Sequence, residues 1–261
     1  MDEIARLNRD GWDRRVAESD AWTRPVPPET VARARQGEWS LLLTRNRPVP
    51  RDWLGEVAGR DVLCLASGGG QQGPVLAAAG ARVSVLDASP AQLAQDRMVA
   101  EREGLDLVTR EGLMQDLSCF ADASFDLVFN PASNCFTPDL APVWRECFRV
   151  LRPGGALLAG FMNPDVYVFD PWAQDRGELL VRFALPYADT THLPPDELSR
   201  LVARDHVVEF SHTLETQIGG QLAAGFLIGG FFEDRDLGTP DTGRSRYMPT
   251  LFATRALKPE A

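Results

Sequence analysis

The pattern of apolar and polar positions divides the chain near residue 60. Residues 1–58 are polar and rich in Arg, Trp and Pro, and two stretches, Glu3–Glu18 and Pro28–Gly37, have helical composition. Trp12, Trp22, Trp39 and Trp53 offer large apolar faces for docking such helices on a larger body, so this segment reads as a helical N-terminal cap. From residue 60 short β-branched or apolar runs alternate with Ala/Leu/Arg/Glu-rich stretches, the signature of parallel β-α-β units. Strands are predicted at Asp61–Ala66, Arg82–Asp87, Leu105–Glu111, Phe125–Asn130 and Ala156–Phe161, with helices at Gln71–Ala79, Pro90–Glu103 and Leu140–Leu151. Ser89 and Pro90 suit a helix start, as cap and first helical residue. Arg152-Pro153-Gly154-Gly155 predicts a stop and a turn.

Beyond Asn163 the alternation lapses, and prolines at 164, 171, 186, 194 and 195 are interleaved with Tyr167, Phe169, Trp172, Phe183 and Tyr187. A long segment without periodicity inside a domain reads as a lid or binding insertion. Helical order returns near Thr213–Ala224, and Phe226–Phe232 and Tyr247–Leu257 read as two closing strands in an antiparallel hairpin. The organisation expected is a cap at 1–58, a cofactor-binding core at 59–162, a substrate-binding lid at 163–210, and the completion of the core at 211–261.

Where the first predicted strand meets its helix the chain reads LCLASGGGQQGPVLAAAG, which contains Gly-x-Gly-x-x-Gly. Small residues at such a turn expose backbone N–H and C=O groups at the carboxyl edge of the sheet, and Gly68 and Gly70 let a ligand lie on that backbone. Asp87 ends the next strand, placed to accept hydrogen bonds from two ribose hydroxyls. Nicotinamide dinucleotides and S-adenosylmethionine both carry such a ribose, and these residues alone accommodate either.

Composition narrows the chemistry. The formal net charge of -10 argues against a large nucleic-acid footprint, which needs a basic face. The lone lysine, Lys258, disfavours a pyridoxal Schiff base, a Tyr-x-x-x-Lys reductase dyad and a Walker A loop. Cys64, Cys119, Cys135 and Cys147 show no metal-ligand or disulfide spacing and read as buried thiols, so no metal is expected. A charged N-terminus without an apolar h-region, and no apolar run of about 18 residues, predict a cytoplasmic chain without a membrane span.

The ordered segments VLCLASGGGQQG, VSVLDASP, GLMQDLSCFADASFDLVF and WRECFRVLRPGGALLAGF resemble the motifs of class I S-adenosylmethionine-dependent methyltransferases of the small-molecule type. The match spans about residues 60 to 160, and the ending at 213–257 is similar to that family's. The resemblance implies an α/β fold: a doubly wound, Rossmann-like, seven-stranded, mostly parallel sheet with a C-terminal antiparallel hairpin. It implies S-adenosyl-L-methionine as cofactor, S-adenosyl-L-homocysteine as product and a small-molecule substrate. Carried over by position, Ala66, Ser67, Gly68 and Gly70 cradle the methionine portion, Asp87 takes the ribose, Ala88 lines the adenine, Leu113-Met114 sit beside the adenine edge, and Asn130 lies under the methyl. The chain departs from the family at Cys64 and Leu113, where acids are common. Asp116 is a candidate replacement at the adenine and Gln72 a candidate for the methionine carboxylate, although a turn cap and a solvent-facing Gln are the ordinary readings.

Methyl transfer from a sulfonium is an in-line displacement that needs alignment and a desolvated slot, with a base only where the acceptor atom carries a proton of high pKa. Of the three histidines, His192 in the insertion and His212 near the late helix are the candidate bases, while His206 reads as structural. Asn130-Pro131 is similar to the Asn-Pro-Pro-aromatic motif of enzymes that methylate planar amino groups, but Ala132-Ser133 follow here. Methylation of a peptide or protein side chain, an NAD(P)-dependent oxidoreductase and a cofactor-binding protein without turnover remain as alternatives.

Overall fold

The computed structural model describes residues 2–237 and 243–260. Its sheet has seven strands in the order β3-β2-β1-β4-β5-β7-β6, formed by β1 (Asp61–Leu65), β2 (Arg82–Asp87), β3 (Leu107–Glu111), β4 (Phe125–Asn130), β5 (Leu151–Met162), β6 (Leu227–Asp234) and β7 (Leu251–Leu257). The first five run parallel, and β7 enters antiparallel between β5 and β6.

Burial on both faces explains the near-continuous apolar character of the central strands. In β1, Val62 and Cys64 point into one core layer and Leu63 and Leu65 into the other. The first layer joins the sheet to α2 (Pro28–Arg35), α3 (Arg51–Leu54) and α4 (Gln72–Ala78) through Ala34, Trp53, Leu54 and Leu76. The second holds α6 (Ala141–Val150), which buries Val143, Trp144, Cys147 and Val150 at helical spacing. Chain order reverses between β1 and β4, which opens a crevice at their carboxyl ends, the usual ligand position in such sheets.

Local chemistry sets the helix ends around that crevice. Helix α5 (Pro90–Glu103) starts with the Ser89 side chain accepting the Gln92 N–H at 3.0 Å and ends at Gly104 in the left-handed region. Helix α1 (Glu3–Ala17) crosses the edge of the crevice. Its Asp13 carboxylate accepts the Ser89 hydroxyl at 2.6 Å and the Ala91 N–H at 3.1 Å, which adds an acidic cap to the serine cap of α5. Asn8 ties α1 to both sides: its amide donates to the carbonyls of Phe136 and Val208, and its Oδ1 accepts the Val208 N–H at 2.8 Å. Gly11 is required there, because a Cβ would lie 2.0 Å from the His206 carbonyl oxygen.

Between Asn163 and Phe210 the chain forms α7 (Pro171–Gln174), α8 (Asp189–His192) and α9 (Pro195–Asp205), joined by irregular turns. Several local expectations are corrected. Helix α6 stops at Val150 as expected, but Arg152–Gly155 is a bulge inside β5 rather than a turn before it: the β4 register passes from Leu151 to Ala156, Gly154 sits at φ 76°, and Arg152 bridges Asp61 and Asp126 at 2.9 Å each. The helical order expected near 213–224 is present, as a π-helical stretch at Glu215–Gly219 that runs directly into α10 (Gly220–Ala223). The last strand starts at Leu251, after a 3-10 turn at Arg244–Arg246. Cys64, Cys135 and Cys147 are buried, but Cys119 is exposed. Among the described residues, no helix is long and apolar enough to cross a membrane.

Candidate functional site

The loop after β1 is shaped by strained and left-handed residues: Ala66 at φ 47°, Gly69 at 108° and Gly70 at 71°. Hydrogen bonds hold it from below. Ala66 N–H donates to the Leu86 carbonyl at 2.8 Å, Gly68 N–H to Asp87 Oδ2 at 2.9 Å and Gly69 N–H to Asp96 Oδ2 at 3.0 Å. The glycines serve packing more than direct ligand approach. A Cβ on Gly68 would lie 2.7 Å from Gln92 Cβ, and one on Gly70 would lie 3.0 Å from both the Gln95 carbonyl and Pro25 Cβ. Gly73, the third glycine of the apparent fingerprint, presses α4 onto β2, since its Cβ would lie 2.9 Å from Val85.

Above this loop lies a cavity of about 450 Å3, within the range of small-ligand sites. Ala66, Ser67, Gly68, Gln72, Asp87 and Ala88 line it. Asp87 is the main polar group of this end: Oδ2 takes the Gly68 N–H and Oδ1 takes the Ser89 N–H at 2.9 Å. A carboxylate oxygen has room for a further hydrogen bond, so Asp87 can still accept two hydroxyls from the cavity side. Burial pushes its carboxyl up from the usual value, and the N–H groups of Ser89 and Gly68 oppose that rise. Beside it, Ser67 Oγ and Gln92 Oε1 are buried without a hydrogen-bond partner, and both residues lie on the cavity wall.

Gly112, Leu113 and Met114 close another side, with Met114 buried. Three sequence candidates stand away from this wall. Gly70 faces the cap, its carbonyl accepting the Val26 N–H at 2.9 Å. Asp116 is exposed and accepts the Ser118 N–H at 3.0 Å, the turn-cap arrangement. Asn130 turns its amide into the protein, donating to the Leu65 carbonyl at 3.0 Å and to Ser133 Oγ at 2.9 Å, while its Oδ1 is buried without a partner.

The cavity continues past Pro131, Ala132 and Ser133 at the end of β4 toward Met162, Glu209 and Arg244. Trp12 and Trp22 of the cap cover it. At this far end Tyr167 donates to Glu209 Oε2 at 2.7 Å, and burial raises the Glu209 carboxyl. Neither candidate histidine lines the cavity. His212 donates from Nε2 toward the carbonyls of Asn134 at 3.1 Å and Thr137 at 2.9 Å, and burial lowers its pKa, so the ring is neutral at pH 7. His192 accepts the Ala188 N–H on Nδ1 at 3.1 Å and packs on Phe183 and Tyr187. Sequence reasoning missed Glu209 and Arg244, which lie in aperiodic segments that carry no motif, and Asp96, which looks like any helical acid.

Residues 63–159 match the family model described as a methyltransferase domain. Over 258 residues, 99% of this chain and 100% of the relative, the chain is 45% identical to a protein of Bacillus subtilis (strain 168) named "Uncharacterized methyltransferase YbaJ". A ubiquinone biosynthesis O-methyltransferase of Stutzerimonas stutzeri (strain A1501) is 29% identical over 140 residues, 52% of this chain and 60% of that protein. Among solved structures, an S-adenosylmethionine-dependent methyltransferase from Mesorhizobium loti superposes with a TM-score of 0.62 at 20% identity, covering 79% of this chain and 94% of that one. A geranyl diphosphate C-methyltransferase from Streptomyces coelicolor A3(2) superposes at 0.54 with 15% identity, covering 79% of this chain and 76% of that one. These two structural likenesses bear on the fold alone.

Proposed function

The chain belongs to the class I S-adenosylmethionine-dependent methyltransferases, and from that premise we propose that it transfers the methyl group to a small organic acceptor held at the far end of the cavity. When bound, the cofactor supplies an electrophilic methyl on a sulfonium. Asp87 would accept the ribose hydroxyls, and Ala88 and Met114 would wall the adenine. Helix α1 with Trp12, and Trp22 from the following turn, excludes water from the slot, which is the contribution an in-line displacement asks of the protein.

One observation carries the reading: a strand-end carboxylate, held by two loop N–H groups, lines a cavity at the carboxyl edge of the sheet. The position of α1 along the cavity wall favours a small molecule over a protein side chain. The relative named a ubiquinone biosynthesis O-methyltransferase supports the same acceptor class. Turnover tests it: labelled S-adenosylmethionine with a panel of phenols, amines, thiols and carboxylates should give a labelled small product. Label appearing in protein alone, or binding without transfer, would overturn it.

A further inference from the structure

At the acceptor end the half-buried side chain of Arg244 lines the cavity wall. Arg244 donates from Nη1 to the Val166 carbonyl at 3.1 Å, and its Nε is buried with no hydrogen-bond partner. Among the described residues no carboxylate lies within ion-pair distance of it. The charges of Tyr167, Glu209 and Asp236 act on it from beyond that distance, Glu209 while accepting the Tyr167 hydroxyl and Asp236 while pairing with Arg45 at 2.7 Å. A second cavity, of about 440 Å3, lies behind this point, and Glu209 and Arg244 line both, so the pair forms the partition between them.

Arginine stays protonated in proteins, so it cannot relieve burial by losing its proton. A partly desolvated cation with one backbone carbonyl and no ion-pair partner among the described residues is stabilised when an anion arrives. The guanidinium presents a planar fork of donors suited to a carboxylate. Glu209, held at the same partition by the Tyr167 hydroxyl, repels a carboxylate at its own position and accepts a proton-bearing group beside it.

We infer that the methyl acceptor is an organic acid whose carboxylate pairs with Arg244, with a hydroxyl or amino group of the same molecule donating to Glu209. The inference rests on the methyltransferase reading above, and the test separates the two. Homocysteine-form cofactor binding is first measured by calorimetry for the wild type and for Arg244→Gln; both bind if the cofactor reading stands, and a wild type that does not bind fails that reading instead.

The cofactor-loaded proteins are then melted with sodium benzoate as the carboxylate probe, against sodium chloride at equal ionic strength. Benzoate is expected to raise the wild-type midpoint and leave Arg244→Gln unmoved. In the absence of any carboxylate the variant is expected to melt close to the wild type, since Arg244 gives up one hydrogen bond and no ion pair among the described residues. No benzoate effect on the wild type, an equal rise in both proteins, or a variant destabilised without benzoate would overturn the inference. Finally, a small-metabolite extract separated on an anion-exchange resin is offered with labelled cofactor: labelled product should arise from the retained fraction, and product from the unretained fraction alone would contradict it.

Discussion

Replacing Asp96 by Asn isolates a penalty that the fold builds beneath the glycine loop. Asp96 is fully buried on α5, with Oδ2 accepting the Gly69 N–H at 3.0 Å and Oδ1 without a partner. Burial pushes its carboxyl from 3.8 up to about 7, helped by the Asp87 charge and opposed by the loop N–H groups and Arg97. Since the folded value lies above the unfolded one, the folded chain keeps a proton that the unfolded chain has released across that window. Stability therefore falls as pH rises between the two values and is level beyond them. At about 1.36 kcal/mol per pH unit, the fall between pH 5 and pH 7 is about 3 kcal/mol, with little more by pH 9. Asn carries no charge, and its side-chain oxygen can still accept the Gly69 N–H. Asp96→Asn should therefore gain about 3 kcal/mol on the wild type between pH 5 and pH 9. Urea unfolding followed by tryptophan fluorescence at several pH values measures that difference. A difference that is flat with pH, or that shrinks as pH rises, would refute the reasoning.

Three further outcomes follow from the contacts. Gly68→Ala puts a Cβ 2.7 Å from Gln92 and 3.1 Å from Asp87 Oδ2, so the carboxylate must shift. S-adenosylhomocysteine affinity should then drop by about tenfold or more, about 1.4 kcal/mol, and an unchanged Kd by calorimetry would contradict this. Asn8→Ala strands the buried Val208 backbone groups and should cost about 2 kcal/mol in thermal or urea unfolding, whereas a loss under about 0.5 kcal/mol would contradict it. His212 has a folded pKa below its ordinary 6.5, so the stability its neutral ring gives is complete above pH 6.5 and is lost as pH falls through the lowered value. His212→Asn should flatten that acid limb of the stability profile, and an unaltered slope would show that another group sets it.

The central sheet is legible in the sequence because strands buried on both faces must be apolar throughout, and because Ser89-Pro90 and Gly104 mark the ends of α5 by the same chemistry that forms them. Asp87 is legible for the related reason that a strand end beside a glycine turn has one position for a ligand-facing acid. Where local chemistry competes with tertiary contact, the pattern misleads. Pro153-Gly154-Gly155 has turn composition, yet the ion pairs of Arg152 and the backbone hydrogen bonds of Gly154 and Gly155 with Lys258 hold it as a bulge within β5. His212 lies near the crevice in sequence order, but the carbonyls of Asn134 and Thr137 set its ring direction. The far end of the cavity was the least legible part, because Glu209 and Arg244 come from aperiodic segments brought together only by the packing of the 163–210 insertion against α1 and the closing hairpin. The glycine run itself holds α5 and the cap close and so aims Asp87, and its resemblance to a dinucleotide fingerprint is a matter of spacing.

The direct measurement is calorimetric titration of the protein with S-adenosylhomocysteine and with NADH, repeated on Asp87→Ala. The account predicts saturable binding of the thioether, none of NADH, and an Asp87→Ala affinity weakened by about tenfold or more, about 1.4 kcal/mol. Tight NADH binding without the thioether, or thioether binding untouched by the loss of Asp87, would contradict it.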